Sequence, residues 1–302
     1  MNTPTGQSIL VTGGAGFIGS HLVETLVTDN DVTVLDNLSS GRREWVADQA
    51  TLIEADIRDS EAAEEAAAGA DLIFHEAANV SVEQSVEEPV DSHEVNVDAT
   101  LQLLECARKE GARFIYASSA AVYGTPDSVP IRETDPKAPA SPYGLEKLTA
   151  EEYCRLYNEL YDVETIMLRY FNAYGPRQRG GQYSGVIDVF LGQARRGEDI
   201  TVHGDGEQTR DFVHVDDVVA ANCLAAVNGT PGEAYNIGTG KSISIKALAQ
   251  LIVDTVESDS RITHVAARDG DIERSRPSIQ KARAELGFEP SRSLGSEIES
   301  LC

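Results

Sequence analysis

Tyr143 and Lys147 are the pair in this chain most capable of chemistry. They stand four residues apart in Ser141-Pro142-Tyr143-Gly144-Leu145-Glu146-Lys147, where Pro142 suits a helix start, so both side chains fall on one helical face. An ammonium beside a phenol favours the phenolate and lowers its pKa, which makes Tyr143 a candidate base near neutral pH. Surface pairs at this spacing are common, so the context has to decide. Upstream, Arg113-Phe114-Ile115-Tyr116-Ala117-Ser118 reads as an apolar strand, with hydroxyls from Ser118 and Ser119 at its end.

A second constellation lies near the start. Ile9 to Leu22 joins an apolar strand to an amphipathic helix through Gly13, Gly16 and Gly19, with Phe17 and Ile18 between the last two. Gly13 permits a sharp turn off the strand, Gly16 a close backbone approach to a pyrophosphate, and Gly19 tight helix packing. The free N–H groups at the helix start then face the phosphate charge. The spacing is G-x-x-G-x-x-G, one residue longer in its first gap than the usual fingerprint, and an ordinary strand-to-helix turn can look similar. The next strand, Asp31 to Asp36, decides for a dinucleotide: it ends in a carboxylate roughly 20 residues past the loop, where an adenosine ribose presents its hydroxyls. Asp36 would repel a 2′-phosphate and so favours NAD over NADP, although Arg42 and Arg43 follow it.

Alternating elements are required to position these groups. Strand patterns at Thr51–Asp56, Asp71–His75 and Arg113–Ser118 alternate with helical patterns near Ser60–Ala68 and Val90–Glu110. This predicts an α/β, Rossmann-like, doubly wound parallel sheet with ligands at the carboxyl ends of its strands. Those ends carry Asn37, then Asp56 and Ile57 suited to an adenine edge, then the small Ala77 and Ala78 with Asn79, then Ser118 and Ser119. Residues 1–172 are expected to form the NAD-binding domain. Residues 173–302 are expected to be mainly a smaller C-terminal α/β substrate-binding region, with some segments returning to the sheet.

Composition bounds the partners. The 302 residues hold 25 basic and 50 acidic side chains, a net charge of −25, and only six lysines. Such a surface repels nucleic-acid phosphates and anionic lipid, so neither is expected as a partner. Acids spread along a lysine-poor chain point to a salt-rich cytoplasm, where screening relieves self-repulsion; a mildly acidic, very soluble protein is the plainer alternative. Cys106, Cys154, Cys223 and Cys302 show no C-x-x-C pair and no ligand spacing with histidine, which fits reduced thiols in the cytoplasm and no metal site. No signal peptide is evident, and no apolar run approaches 18 residues.

The combination TGGAGFIGSHL, Asp36, SSAAVYG, SPYGLEK and RYFNAYGPRQ resembles the extended short-chain dehydrogenase/reductase family, within it the nucleotide-sugar 4-epimerases of the UDP-glucose 4-epimerase type. The likeness covers nearly the whole chain, and Tyr-x-x-x-Lys with its upstream Ser is its most specific part. It implies that Tyr143 takes the proton of a sugar 4-hydroxyl, Lys147 lowers the pKa of Tyr143 and binds the nicotinamide ribose, and Ser119 hydrogen-bonds the sugar oxygen, a role Ser118 could share. It implies that Asn96 lies near the active site and that bound NAD takes and returns the C4 hydride without net redox change. Dehydratases of the family resemble Thr-Asp-Glu after the strand and decarboxylases carry a Glu there; Ala120 and Ala121 cannot transfer protons, which leaves C4 inversion.

The same resemblance puts Phe171 at the cofactor and Asn172 at the substrate, and Val186, opening a helix after Gln182-Tyr183-Ser184-Gly185, along the nucleotide. Arg210, in Arg210-Asp211-Phe212-Val213-His214-Val215, and Arg268 suit diphosphate oxygens, with Arg274 and Arg276 nearby; Asp271 would accept from the nucleotide ribose. An exposed loop with surface ion pairs is the alternative for this cluster. Ser275 matches a position where a small residue admits an N-acetyl group. A homodimer through the helices near Asn96–Glu110 and Pro142–Leu160 is the family expectation. The other readings are a UDP-glucuronate 4-epimerase or another nucleotide-sugar oxidoreductase of the family, and, from a different class, a non-catalytic NAD-binding regulator.

Overall fold

The computed structural model describes residues 3–178, 185–268 and 270–301. Seven short apolar segments form one parallel sheet: β1 (Ser8–Thr12), β2 (Asp31–Asp36), β3 (Thr51–Glu54), β4 (Leu72–His75), β5 (Arg113–Ser119), β6 (Thr165–Tyr170) and β7 (Ala234–Ile237). Their order across the sheet is β7-β6-β5-β4-β1-β2-β3, every neighbouring pair parallel. Chain direction across the sheet therefore reverses at β1 and β4, and the crevice outside their carboxyl ends is where such sheets bind ligands.

Both faces of the sheet are covered, which is why β4 and β6 are buried along their whole length. One face packs on α1 (Phe17–Leu26) and on the helix Val215–Asn228, with Ala282, Leu286 and Phe288 closing the layer. The other packs on α2 (Ser60–Ala67), α3 (Ala99–Glu110) and α4 (Pro142–Tyr161), where Ala63, Leu103, Leu104, Ala150 and Cys154 meet Leu10, Ile73 and Phe114. Local signals start and stop these helices: Asp59 caps α2 by accepting from the N–H groups of Glu61 and Ala62, and α3 ends on Gly111 at φ 71°.

Beyond β6 the chain builds a second apolar cluster from Tyr174, Ile187, Phe190, Leu191, Ile200, Val202, Leu248 and Ile252. The segment 200–203 pairs with 262–265, and 209–210 with 243–244. β7 and the helix Val215–Asn228, both later than residue 172, belong to the large sheet layer. Cys106, Cys154 and Cys223 are free and buried; Cys302 lies outside the described residues. Among the described residues no helix is long and apolar enough to cross a membrane.

Candidate active site

Ser119 ends β5, and Tyr143 and Lys147 occupy the first turns of α4. Ser141 caps that helix by accepting from the Gly144 N–H at 3.1 Å, with Pro142 in the first turn. Gly144 packs against the turn after β5; a Cβ there would meet the Ala121 carbonyl oxygen at 2.7 Å. This contact brings the helix start to the strand end. Ser119 Oγ accepts from the Ala121 N–H at 3.2 Å and acts on the Tyr143 phenol, and the Tyr143 N–H donates to Ser85 Oγ at 3.1 Å. The Lys147 ammonium donates to the Ala117 carbonyl at 2.8 Å and lies 4.9 Å from the Tyr116 ring centroid and 6.0 Å from that of Tyr143.

The electrostatics differ from the sequence expectation. Burial raises the Tyr143 pKa above the usual phenol value, opposed by the Ser119 hydrogen bond, while burial pulls Lys147 down to about 8. In the protein alone the phenol therefore sits above its usual value, with desolvation of the phenolate the largest influence and the Glu146 charge adding to it.

The glycine loop and the strand ends beside it converge on one cleft. Gly13 adopts φ 69°, and a Cβ on it would meet the Ala77 nitrogen at 2.7 Å, so the first turn and the small residues after β4 fit only with hydrogen at this position. Gly16 precedes α1 without a side-chain cap, which leaves the N–H groups of Phe17, Ile18 and Gly19 in the first turn facing outward along the helix axis. The Asp36 carboxylate accepts from the N–H groups of Ala15 at 2.9 Å and Leu38 at 2.8 Å, tying the end of β2 to the loop. Arg42 and Arg43 are paired with Glu44 and Glu54, so neither is free to neutralise Asp36.

The Asp56 oxygens accept from Arg58 N–H, Nε and Nη2 and from Asn37 Nδ2, and the Arg58 bonds bring its pKa down to about 2. Ile57 beside it is buried. Asn79 is clamped at both backbone groups: its N–H donates to Asn96 Oδ1 at 2.9 Å and its carbonyl accepts from Asn96 Nδ2 at 3.0 Å. Asn96 lies in a wide π-helical turn, Glu94–Asp98, leading into α3. Ala78 links Ala77 to this clamp.

Two predicted residues face elsewhere. Ser118 Oγ donates to Glu151, which is paired with Arg169; a hydroxyl beside a buried ion pair is drawn into it, so this side chain serves the β5–β6–α4 packing and not the cleft. Phe171 is buried with Val122, Tyr123 and Ile131. Sequence reasoning missed Glu76, Glu146 and Glu151. Glu146 accepts from Ser92 Oγ and Asn96 Nδ2, both at 2.7 Å, and so supports the Asn79 clamp. Its signal was its spacing, three residues beyond Tyr143 on the same helical face.

The second region brings 209–210 to 271–275. Arg210 donates to the carbonyls of Thr209 at 2.8 Å and Ile272 at 2.6 Å and pairs with Asp271, which also accepts from Gln208 Nε2 at 3.2 Å. Asp271 is thus tied to the guanidinium and to Gln208. Ser275 is buried, its N–H on the Thr209 carbonyl at 3.1 Å; Arg268 and Arg274 are exposed. Asn172 donates from Nδ2 to the Asp211 carbonyl at 2.9 Å. Val186 opens the helix Val186–Arg195, while Gln182, Tyr183 and Ser184 lie outside the described residues.

A glycine turn, the Asp36 carboxylate and a Ser/Tyr/Lys cluster stand at the carboxyl ends of the strands of one sheet, and residues 9–238 match the NAD dependent epimerase/dehydratase family. The chain belongs to that family. UDP-glucose 4-epimerase of Mycolicibacterium smegmatis is 39% identical over 96% of this chain and 95% of its own. The crystal structure of UDP-glucose 4-epimerase from Thermotoga maritima with UDP-glucose superposes with a TM-score of 0.94 at 40% identity, covering 97% of this chain and 96% of that one. UDP-N-acetylglucosamine 4-epimerase from Methanobrevibacter ruminantium, in complex with UDP-N-acetylmuramic acid, gives a TM-score of 0.94 at 36% identity, covering 98% and 97%.

The residues present fit the cofactor of the epimerase/dehydratase family. A Cβ would fill the space Gly13 leaves, the N–H groups at the start of α1 suit a pyrophosphate, and the Asp36 carboxylate keeps acceptor capacity beyond its two backbone bonds.

Proposed function

We propose that the protein is an NAD-dependent nucleotide-sugar 4-epimerase acting on UDP-glucose and UDP-galactose. The observation that carries this reading is the gathering of Ser119, Tyr143 and Lys147 at the carboxyl end of β5, where Lys147 donates to the Ala117 carbonyl at 2.8 Å, beside the glycine turn. Gly13, Gly16, Phe17, Ile18, Gly19, Asp36, Asn37, Ala77, Ala78, Asn79, Asn96 and Lys147 would hold NAD. When bound, NAD supplies a reversible hydride acceptor for C4 of the sugar.

Tyr143 takes the proton of the 4-hydroxyl and gives it back after inversion. Ser119 holds the same oxygen, so the proton moves along a short bonded path. Lys147 supplies positive charge below the phenol. Ala120 and Ala121, beside Ser119, carry no acid or base, and elimination or decarboxylation needs one there. Arg210 and Arg268 are assigned to the diphosphate, Asn172 and Val186 to the nucleotide sugar. The small, buried Ser275 supports acceptance of N-acetylhexosamines.

NMR of UDP-glucose and, separately, UDP-N-acetylglucosamine incubated with the protein in molar KCl, with no cofactor added, tests this. Appearance of the C4 epimer is expected, for the N-acetylated sugar as well if Ser275 opens the pocket. Unchanged sugars in the presence of retained NAD contradict it.

We further propose a homodimer formed by α3 and α4, supported by Leu145, Leu160 and Tyr161, each at least half exposed on α4. The buried free thiols and the acidic surface support a cytoplasm that is reducing and rich in salt.

A further inference from the structure

A single residue separates two of the short pairings in the second region. The segment 209–210 pairs antiparallel with 243–244, the segment 212–214 pairs parallel with 172–174, and Asp211 lies between them. Asp211 is fully buried, and its two polar ends go to different places. Its backbone carbonyl accepts from Asn172 twice, from the N–H at 3.2 Å and from Nδ2 at 2.9 Å. Its carboxylate accepts from Thr239 twice, from the N–H at 2.8 Å and from Oγ1 at 2.9 Å. Asn172 stands two residues past β6 and Thr239 two residues past β7, and these strands are neighbours in the large sheet. Both strand ends therefore grip Asp211, and Arg210 is the next residue in the chain. A buried carboxylate is costly unless donors hold it. Among the described residues no cation is ion-paired with Asp211: Arg210 turns instead to Asp271 and to the Thr209 and Ile272 carbonyls. The corner is closely fitted as well, since a Cβ on Gly238 would meet Asp211 Oδ1 at 3.2 Å and Pro277 Cγ at 2.6 Å. Burial pushes the Asp211 pKa up to about 6, against the Thr239 bonds.

We propose that Asp211 is a positioning residue for the nucleotide sugar: gripped by Asn172 past β6 and by Thr239 past β7, it fixes Arg210 at the carboxyl ends of these two strands. Ser119 ends the adjacent strand β5, so the diphosphate and the sugar are held in one relation across the ends of β5, β6 and β7. The inference rests on the epimerase reading for its ligand and on the four hydrogen bonds for its geometry. Asp211 acts through Asn172 and Arg210, with its own carboxylate turned to Thr239. A contact with the diphosphate is made alike before and during the reaction, so its loss enters KM and leaves kcat in place.

The test uses the protein as purified, with UDP as the binding probe and UDP-glucose for turnover. Asp211→Ala removes the acceptor for both Thr239 donors. Affinity for UDP, read by calorimetry, is expected to fall about tenfold, the scale of one displaced charge-assisted contact. KM for UDP-glucose rises with it, while kcat and retained NAD stay within about twofold. Asp211→Asn keeps an acceptor for Thr239 and recovers most of the affinity. Thr239→Val keeps the shape of the corner and removes one bond, so UDP affinity falls in the same direction by about two- to threefold; this variant also decides the matter if Asp211→Ala does not fold. Unchanged UDP affinity in Asp211→Ala or in Thr239→Val overturns the proposal, as does a kcat and NAD content that fall in step with affinity. A wild-type protein that binds UDP but epimerises neither sugar removes the epimerase reading, and the UDP measurements still decide the role of Asp211.

Discussion

On the proposed reading Tyr143 carries the acid–base chemistry, and its environment makes that role conditional. Burial holds the phenol protonated in the protein alone, and the Ser119 hydrogen bond opposes burial. Phenylalanine keeps the ring and removes the proton acceptor, so Tyr143→Phe is expected to lower kcat by roughly 100- to 10,000-fold with little change in retained NAD; a loss under about tenfold would assign the proton to another group. The four-residue spacing of Tyr143 and Lys147 was legible because a helix start fixes which side chains share a face. Glu76 and Glu146 were not. Apart from the spacing of Glu146 from Tyr143, nothing local distinguishes these glutamates from the many that stay in solvent, and only the placing of β4, β5 and β6 side by side, and of α4 against the turn Glu94–Asp98, encloses them. Asp56 and Asp271 were legible as carboxylates near ligand loops, but their pairing with Arg58 and Arg210 depends on side-chain reach that spacing does not reveal.

At the level of elements, the strand-to-helix alternation announced the parallel sheet, because short apolar strands separated by amphipathic helices have few other ways to bury both faces. The return of Ala234–Ile237 to its far edge depends on a register set by Leu168 and Tyr170, and no local pattern in a four-residue strand identifies its neighbour. β6 shows how the site and the sheet share parts. Its Arg169 pairs bidentately with Glu151 of α4, donates to Tyr123 at 2.7 Å, and is almost fully buried with its partner. This joins the strand that carries Tyr170 to the helix that carries Tyr143. Removing one member leaves a buried charge, so Glu151→Leu is expected to cost about 3–5 kcal/mol of stability in denaturant unfolding, more than an ordinary core substitution. A cost under about 1 kcal/mol would mean that Arg169 reaches solvent or another acceptor in the variant.

For the whole molecule, the charge of −25 on 302 residues sets the conditions under which the site is assembled. Like charges spread over the surface oppose compaction, and screening shortens their reach to about 3 Å at molar salt. Melting temperature is therefore expected to rise steadily from low salt to molar KCl, with light scattering on the same samples giving twice the chain mass; a melting temperature indifferent to salt would argue against the acidic surface as an adaptation, and a chain mass would argue against the α3–α4 dimer. Epimerisation turns on the hydrogen at the sugar C4, and deuterium follows it. UDP-glucose deuterated at C4 is incubated with the protein in ordinary water, and the C4 epimer is read by NMR and mass. Inversion by transient oxidation within one closed site predicts that the epimer forms with the deuterium still on C4. An epimer that has exchanged its label for solvent hydrogen, or no epimer at all, would contradict the account.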